Sequence, residues 1–119
     1  MVSNGSRNRR ISAQIGKDKQ DAAEHYIQSA LRNWCKSIKD EKKENVWFAA
    51  QDLFGGKNFS WEGTPLEVLY DWHKKNGAKK PFTMAGRDVG HLLSKILKED
   101  KQRYFDTRTG RLRQYLWIK

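Results

Sequence analysis

Cysteine occurs once in this sequence and proline twice, and acidic residues number 14 against 24 basic ones. The lone Cys35 has no partner for an internal disulfide, and no cluster of cysteine and histidine stands at zinc-ligand spacing. Neither a covalent staple nor a metal is therefore expected. Such cysteine usage fits a reducing cytoplasm. Nowhere do about eighteen apolar residues run together, the length a membrane-spanning helix needs. The N-terminal MVSNGSRNRRISAQIG lacks the continuous apolar stretch of a signal peptide. A soluble, cytoplasmic protein with no membrane partner is expected.

The marks of catalysis are also missing. His25, His73 and His91 lie far apart in sequence, and Cys35 falls on the apolar stripe of a helix. No glycine-rich phosphate loop, nucleophile elbow or paired-carboxylate motif occurs. The His91 and Asp88 pair has the form of an acid and a base, but one-turn spacing on a helix is commonplace. The expectation is a protein without catalytic residues, cofactor or metal.

What is abundant is large apolar surface and positive charge. Five tryptophans, four tyrosines and five phenylalanines are too much aromatic area for a disordered chain, and 119 residues suffice for one core. The net charge of +10 is unevenly spread. Residues 1–20 hold five bases against one acid, residues 21–63 six against seven, and residues 64–119 thirteen against six. Charge concentrated in this way attracts polyanions, whereas solubility alone requires no asymmetry.

Residues 1–19 are polar and basic without apolar periodicity, and read as a flexible arm bearing Arg7, Arg9, Arg10, Lys17 and Lys19. From Asp21 onward, apolar residues recur one helical turn apart at Ala22/Ala23, Tyr26/Ile27, Ala30/Leu31, Trp34/Cys35 and Ile38, with Asp21 as a cap and Glu24 completing a capping box. The opposite face holds Glu24, Gln28, Arg32, Lys36 and Lys39. After the polar DEKKEN, the stripe Val46, Trp47, Ala50, Leu53 and Phe54 predicts a short helix stopped at Gly55-Gly56, and Phe59-Ser60-Trp61 can supply a small strand.

Thr64-Pro65-Leu66-Glu67 is a helix start, and Asn76-Gly77 its stop. A connector, Ala78 to Pro81, leads to another helix with core positions Ala85, Val89, Leu92, Leu93, Ile96 and Leu97. The C-terminal segment changes to a strand period, giving a hairpin around the loop Asp106 to Arg111. Its second strand offers two faces, Leu112, Gln114, Leu116 and Ile118 or Arg111, Arg113, Tyr115 and Trp117, and the pattern does not choose between them. The order of elements predicts an α+β, mainly helical chain: a winged helix-turn-helix with an N-terminal helical extension. In this reading residues 20–119 form a single domain behind the arm 1–19. An irregular helical bundle with an appended hairpin shares these elements.

From Trp61 to Lys119 three runs, WEGTPLEVLY, PFTMAGRDVGHLLSK and RYFDTRTGRLRQYLWI, resemble winged-helix domains of virus, phage and plasmid-type primase-helicases. The resemblance implies nucleic-acid binding in replication or transcription of a mobile element. It implies no ATPase or primase activity, since a Walker A loop and primase carboxylates are lacking. In such domains the helix before the hairpin lies in a DNA groove, and the hairpin, or wing, reaches a neighbouring groove or the phosphates.

On that helix Met84, Arg87, Asp88, His91, Ser94, Lys95 and Lys98 are expected to point away from the core. Arg87 suits a bidentate contact to guanine, Thr83 and Ser94 suit phosphates or bases, and Lys95 and Lys98 suit phosphates. Asp88 is unfavourable in a groove unless it accepts from cytosine or pairs with Arg87 or Lys95. Gly86 and Gly90 make a smooth strip for a sugar-phosphate backbone or for another helix. In the wing, Lys101, Arg103, Arg108, Arg111 and Arg113 gather around Gly110 as phosphate or minor-groove contacts, and otherwise serve to keep strand edges apart. Lys79 and Lys80, with Lys74 and Lys75, can hold the flanking backbone.

Duplex DNA is the expected partner. Exposed Trp61, Tyr115 or Trp117 would instead favour stacking on unpaired bases. The competing reading is a protein-interaction module that binds or inhibits a host complex. In either reading the nearly neutral N-terminal helices can dock a host protein or a second copy. A DNA-binding role would place the chain at the nucleoid.

Overall fold

The computed structural model describes residues 4–54, 61, 63–111 and 113–118, with residues 4–9 described by their backbone alone. It is mainly helical with a small three-stranded antiparallel sheet, an α+β arrangement. The elements run α1 (Asn4–Ile15), α2 (Lys17–Asp40), β1 (Trp47–Phe48), α3 (Ala50–Phe54), α4 (Glu67–Lys75), α5 (Pro81–Glu99), β2 (Tyr104–Thr109) and β3 (Arg113–Ile118). No helix among the described residues is long and apolar enough to cross a membrane.

The N-terminal segment departs from the expectation of a flexible arm. Asn4–Ile15 is helical, and Ile11, only 1% exposed, joins Ile15 in the core. These two residues, one turn apart, are enough to seat the helix against α2, α4 and α5. Gly16 then turns the chain with φ 88°, a conformation that suits glycine, and α2 begins at Lys17. Asp21 is consequently inside the helix rather than its cap. Its carboxylate is 3.4 Å from Lys17 Nζ, one turn earlier. Of the predicted stripe, Ala23, Ile27, Leu31, Cys35 and Ile38 are buried, Tyr26, Ala30 and Trp34 are half-buried, and Ala22 is exposed.

The small strand lies earlier than expected. Trp47 and Phe48 form β1, pairing with Leu116 and Tyr115 of β3, while Phe59 and Ser60 fall outside the described residues. Their place in the sequence resembled a helical stripe, but pairing with β3 satisfies backbone groups that a free sheet edge would expose. The short helix α3 begins directly afterwards. The Asp52 carboxylate accepts from the Ala49 amide at 2.7 Å, three residues back, which closes its first turn.

At α4 the expected capping residues act one position off. Glu67 accepts from the Gly63 amide at 2.8 Å, and the Thr64 hydroxyl accepts from Leu66 N while donating to the Trp61 carbonyl. The helix stops as anticipated. Gly77 has φ 82°, and the Ala78 amide reaches back to the His73 carbonyl at 3.0 Å. Pro81 occupies the first turn of α5, where a missing amide hydrogen costs nothing.

The α5 helix is the hub, touching α1, α2, α3, α4 and β2. The sheet closes one end of the core in the order β1-β3-β2. Phe48, Phe105 and Tyr115 turn inward, with Phe48 against the rings of Trp34, Phe105 and Tyr115. This decides the open question about β3: the Tyr115 face meets the core, and Gln114, Leu116 and Ile118 lie on the outer face. Strand β2 also runs further toward the tip than the sequence suggested, to Thr109. Thr109 pairs with Arg113.

Candidate nucleic-acid interface

Thr83, Arg87, His91, Ser94 and Lys98 follow one another along α5 at steps of four, four, three and four residues, and so share one stripe of the helix. The N-terminal half of this stripe is open: Thr83 and Arg87 are exposed, as are Lys79 and Lys80 in the connector before the helix. His91 is half-buried. Toward the C-terminal half the hairpin approaches, and Ser94 and Lys98 become one wall of a groove whose other wall includes Thr107 and Arg113. Lys98, Lys101, Arg111 and Arg113 are exposed. Thus the helix stripe and one face of the hairpin meet at a cationic groove of about 410 Å³.

Several expected contacts are placed otherwise. Asp88 does not point away from the core. It is 6% exposed, and its carboxylate is 2.7 Å from Nε2 of the equally buried His73 on α4. This pair joins α4 to α5, so the carboxylate does not confront a polyanion, and His91 is not its partner in that contact. Ser94 is also buried, at 4% exposure, because the hairpin covers the helix at that level. It lines the groove rather than an open reading face.

Lys95 turns to α2, where its ammonium lies 3.0 and 3.2 Å from the two carboxylate oxygens of Glu24. Glu24 also accepts from Gln20 at 3.0 Å, so this predicted surface carboxylate is part of a helix-helix tie. Arg103 is 3.2 Å from Asp100, whose other oxygen accepts from the Gln102 and Arg103 amides. That arrangement fixes the exit from α5 and holds Arg103 at the edge of the groove.

Arg108 belongs to the opposite side of the hairpin. Its guanidinium carbon stands 4.2 Å from the ring centroid of Trp47, and its Nε donates to Gln114 Oε1 at 2.7 Å. The arginine thereby covers the outer face of the sheet, with tryptophan as a cation–π platform. The proposed stacking aromatics are also largely withdrawn. Trp61 and Tyr115 are buried, and Trp117 is half-buried against the core. Trp61 donates to the Phe54 carbonyl at 3.0 Å and packs on Phe82.

Tyr104 and Thr107 are groove residues that the sequence did not single out. The hairpin pattern contained both, but their relation to Ser94 and Lys98 depends on how the hairpin folds over α5. Gly86 and Gly90 are half-buried, and a methyl group at either would meet nothing within 4 Å. Close packing by another helix therefore does not require them. Compared with protein-family models, curated proteins and solved structures, the chain matches none of them.

Proposed function

We propose that this chain is a non-enzymatic DNA-binding protein of winged-helix type, with α5 as its reading helix and the β2-β3 hairpin as its wing. The observation that carries the reading is the convergence of Arg87, Lys98, Arg113 and the flanking Lys79 and Lys80 upon one helix stripe and its adjoining groove. Order and pairing support it further: a helix pair precedes the hairpin, and the early strand β1 adds to β3 in the order β1-β3-β2. Arg87 can address a guanine edge, while Lys98, Arg111 and Arg113 neutralise phosphates on either side. Use in replication or transcription of a mobile element is part of the same proposal.

Fluorescence anisotropy with labelled duplex DNA tests it. Arg87→Ala and Arg113→Ala are expected to weaken binding, each by about 1–3 kcal/mol if its contact is bidentate. Lys95→Ala, which removes an equal charge from the same helix but one committed to Glu24, is expected to leave affinity nearly unchanged. Equal losses for Lys95 and Arg87 would contradict the assigned face.

A protein-interaction reading draws on a different surface. Tyr104 and Ile118 pair across the strands on the outer face and are 69% and 43% exposed. If that face is the working one, Tyr104→Ser and Ile118→Ser abolish partner capture while leaving DNA affinity intact.

A further inference from the structure

The groove between α5 and the hairpin has two kinds of wall. Lys98, Arg103 and Arg113 supply positive charge, Ser94 and Thr107 supply hydroxyls, and Leu97, Phe105 and Tyr115 form an apolar floor, with Tyr104 also lining it. Asp100, the carboxylate among the lining residues, is bound to Arg103 and to two backbone amides. Lys98 and Arg113 are exposed and form no ion pair with a described residue, and Ser94 lines the groove beside them. Two exposed cations beside the hydroxyls of Ser94 and Thr107 offer donors for an anion.

Size and floor narrow the ligand. At about 410 Å³ the groove lies within the range of about 300–1,000 Å³ typical of small-molecule sites. A lone phosphate leaves the apolar floor uncovered, and a continuous base-paired backbone presents phosphates and sugars there but no ring. A ligand anionic at one end and flat and apolar at the other matches both walls. We infer that the groove is a site for a single unpaired nucleotide, its phosphate between Lys98 and Arg113 and its base directed toward the Phe105–Tyr115 floor. The nucleotide comes from a strand end or unpaired stretch of the bound DNA, which rests on the proposed DNA-binding function, or from a free nucleoside monophosphate.

The test compares a blunt duplex, the same duplex with a short single-stranded overhang, and that duplex with an abasic overhang of equal length. Since stacking contributes about 1–3 kcal/mol per base, the overhang is expected to tighten binding by about tenfold, and the abasic overhang, which adds phosphates alone, by much less. Lys98→Ala and Arg113→Ala are expected to erase the ratio of overhang to blunt affinity, beyond any common loss. In amide spectra, deoxythymidine monophosphate is expected to shift Ser94, Lys98, Thr107 and Arg113.

Equal affinity for blunt and overhung duplexes, or an equal gain from the abasic one, overturns the nucleotide site and leaves the duplex reading standing. Amide shifts at the groove without duplex binding overturn the duplex reading and support a free-nucleotide site. Neither response overturns both.

Discussion

Lys95 and Arg87 have the same charge and lie on the same helix, yet their surroundings assign them different work. The Lys95 ammonium sits on a Glu24 carboxylate whose side chain is only 15% exposed, so the pair ties α2 to α5. Lys95→Ala strands that carboxylate and is expected to lower stability by about 1–3 kcal/mol in urea unfolding. Asp88 has a related duty. Asp88→Ala leaves the buried His73 ring without its 2.7 Å partner and is expected to cost about 1.5–3 kcal/mol, with Asp88→Asn recovering part of the loss.

If Asp88 instead faced DNA, its removal would raise affinity with no loss of stability. At Cys35, burial pushes the thiol above its ordinary pKa. Its reaction with a disulfide reagent near about pH 8 should be slow in the folded protein and become fast on unfolding. Fast reaction in the native state would show that the α2 stripe is not packed as described.

Elements with dense internal signals were legible from the sequence. The α2 stripe repeats over about four turns, α4 carries its own start and stop residues, and the hairpin announces itself by its change of period. The signal for α1 is only Ile11 and Ile15 among serine, arginine and asparagine, too sparse for periodicity to reveal. Their burial nevertheless makes α1 part of the core. Ile11→Ala is expected to cost about 2–4 kcal/mol, measured by thermal or denaturant unfolding. A loss near zero would restore the picture of a loose arm.

The two-residue β1 could not show alternation at all. On α5 the exposed arc was overestimated because five elements surround the helix, which gives it a wider buried face than a single apolar stripe predicts. Thus Thr83, Arg87 and Lys98 were legible as surface residues, whereas the burial of Asp88 and Ser94 depends on α4 and the hairpin. Arg108 was unreadable for the same reason, since Trp47 beneath it comes from β1, far earlier in the chain.

For the molecule as a whole, the question is whether its excess charge is organised for phosphates. The structure narrows the candidate surface: Lys95 is committed to Glu24, Arg103 to Asp100 and Arg108 to Trp47, while Arg87, Lys98, Arg111 and Arg113 remain exposed. On duplex DNA each neutralised phosphate contributes about −0.9 to the slope of log affinity against log salt.

The most direct measurement is that slope, obtained for the wild type and for a protein in which Arg87, Lys98 and Arg113 are all changed to alanine. The account predicts steep salt-dependent binding by the wild type and a slope reduced by roughly two to three units in the triple variant. Absence of salt-dependent binding, or an unchanged slope in the triple variant, would contradict it.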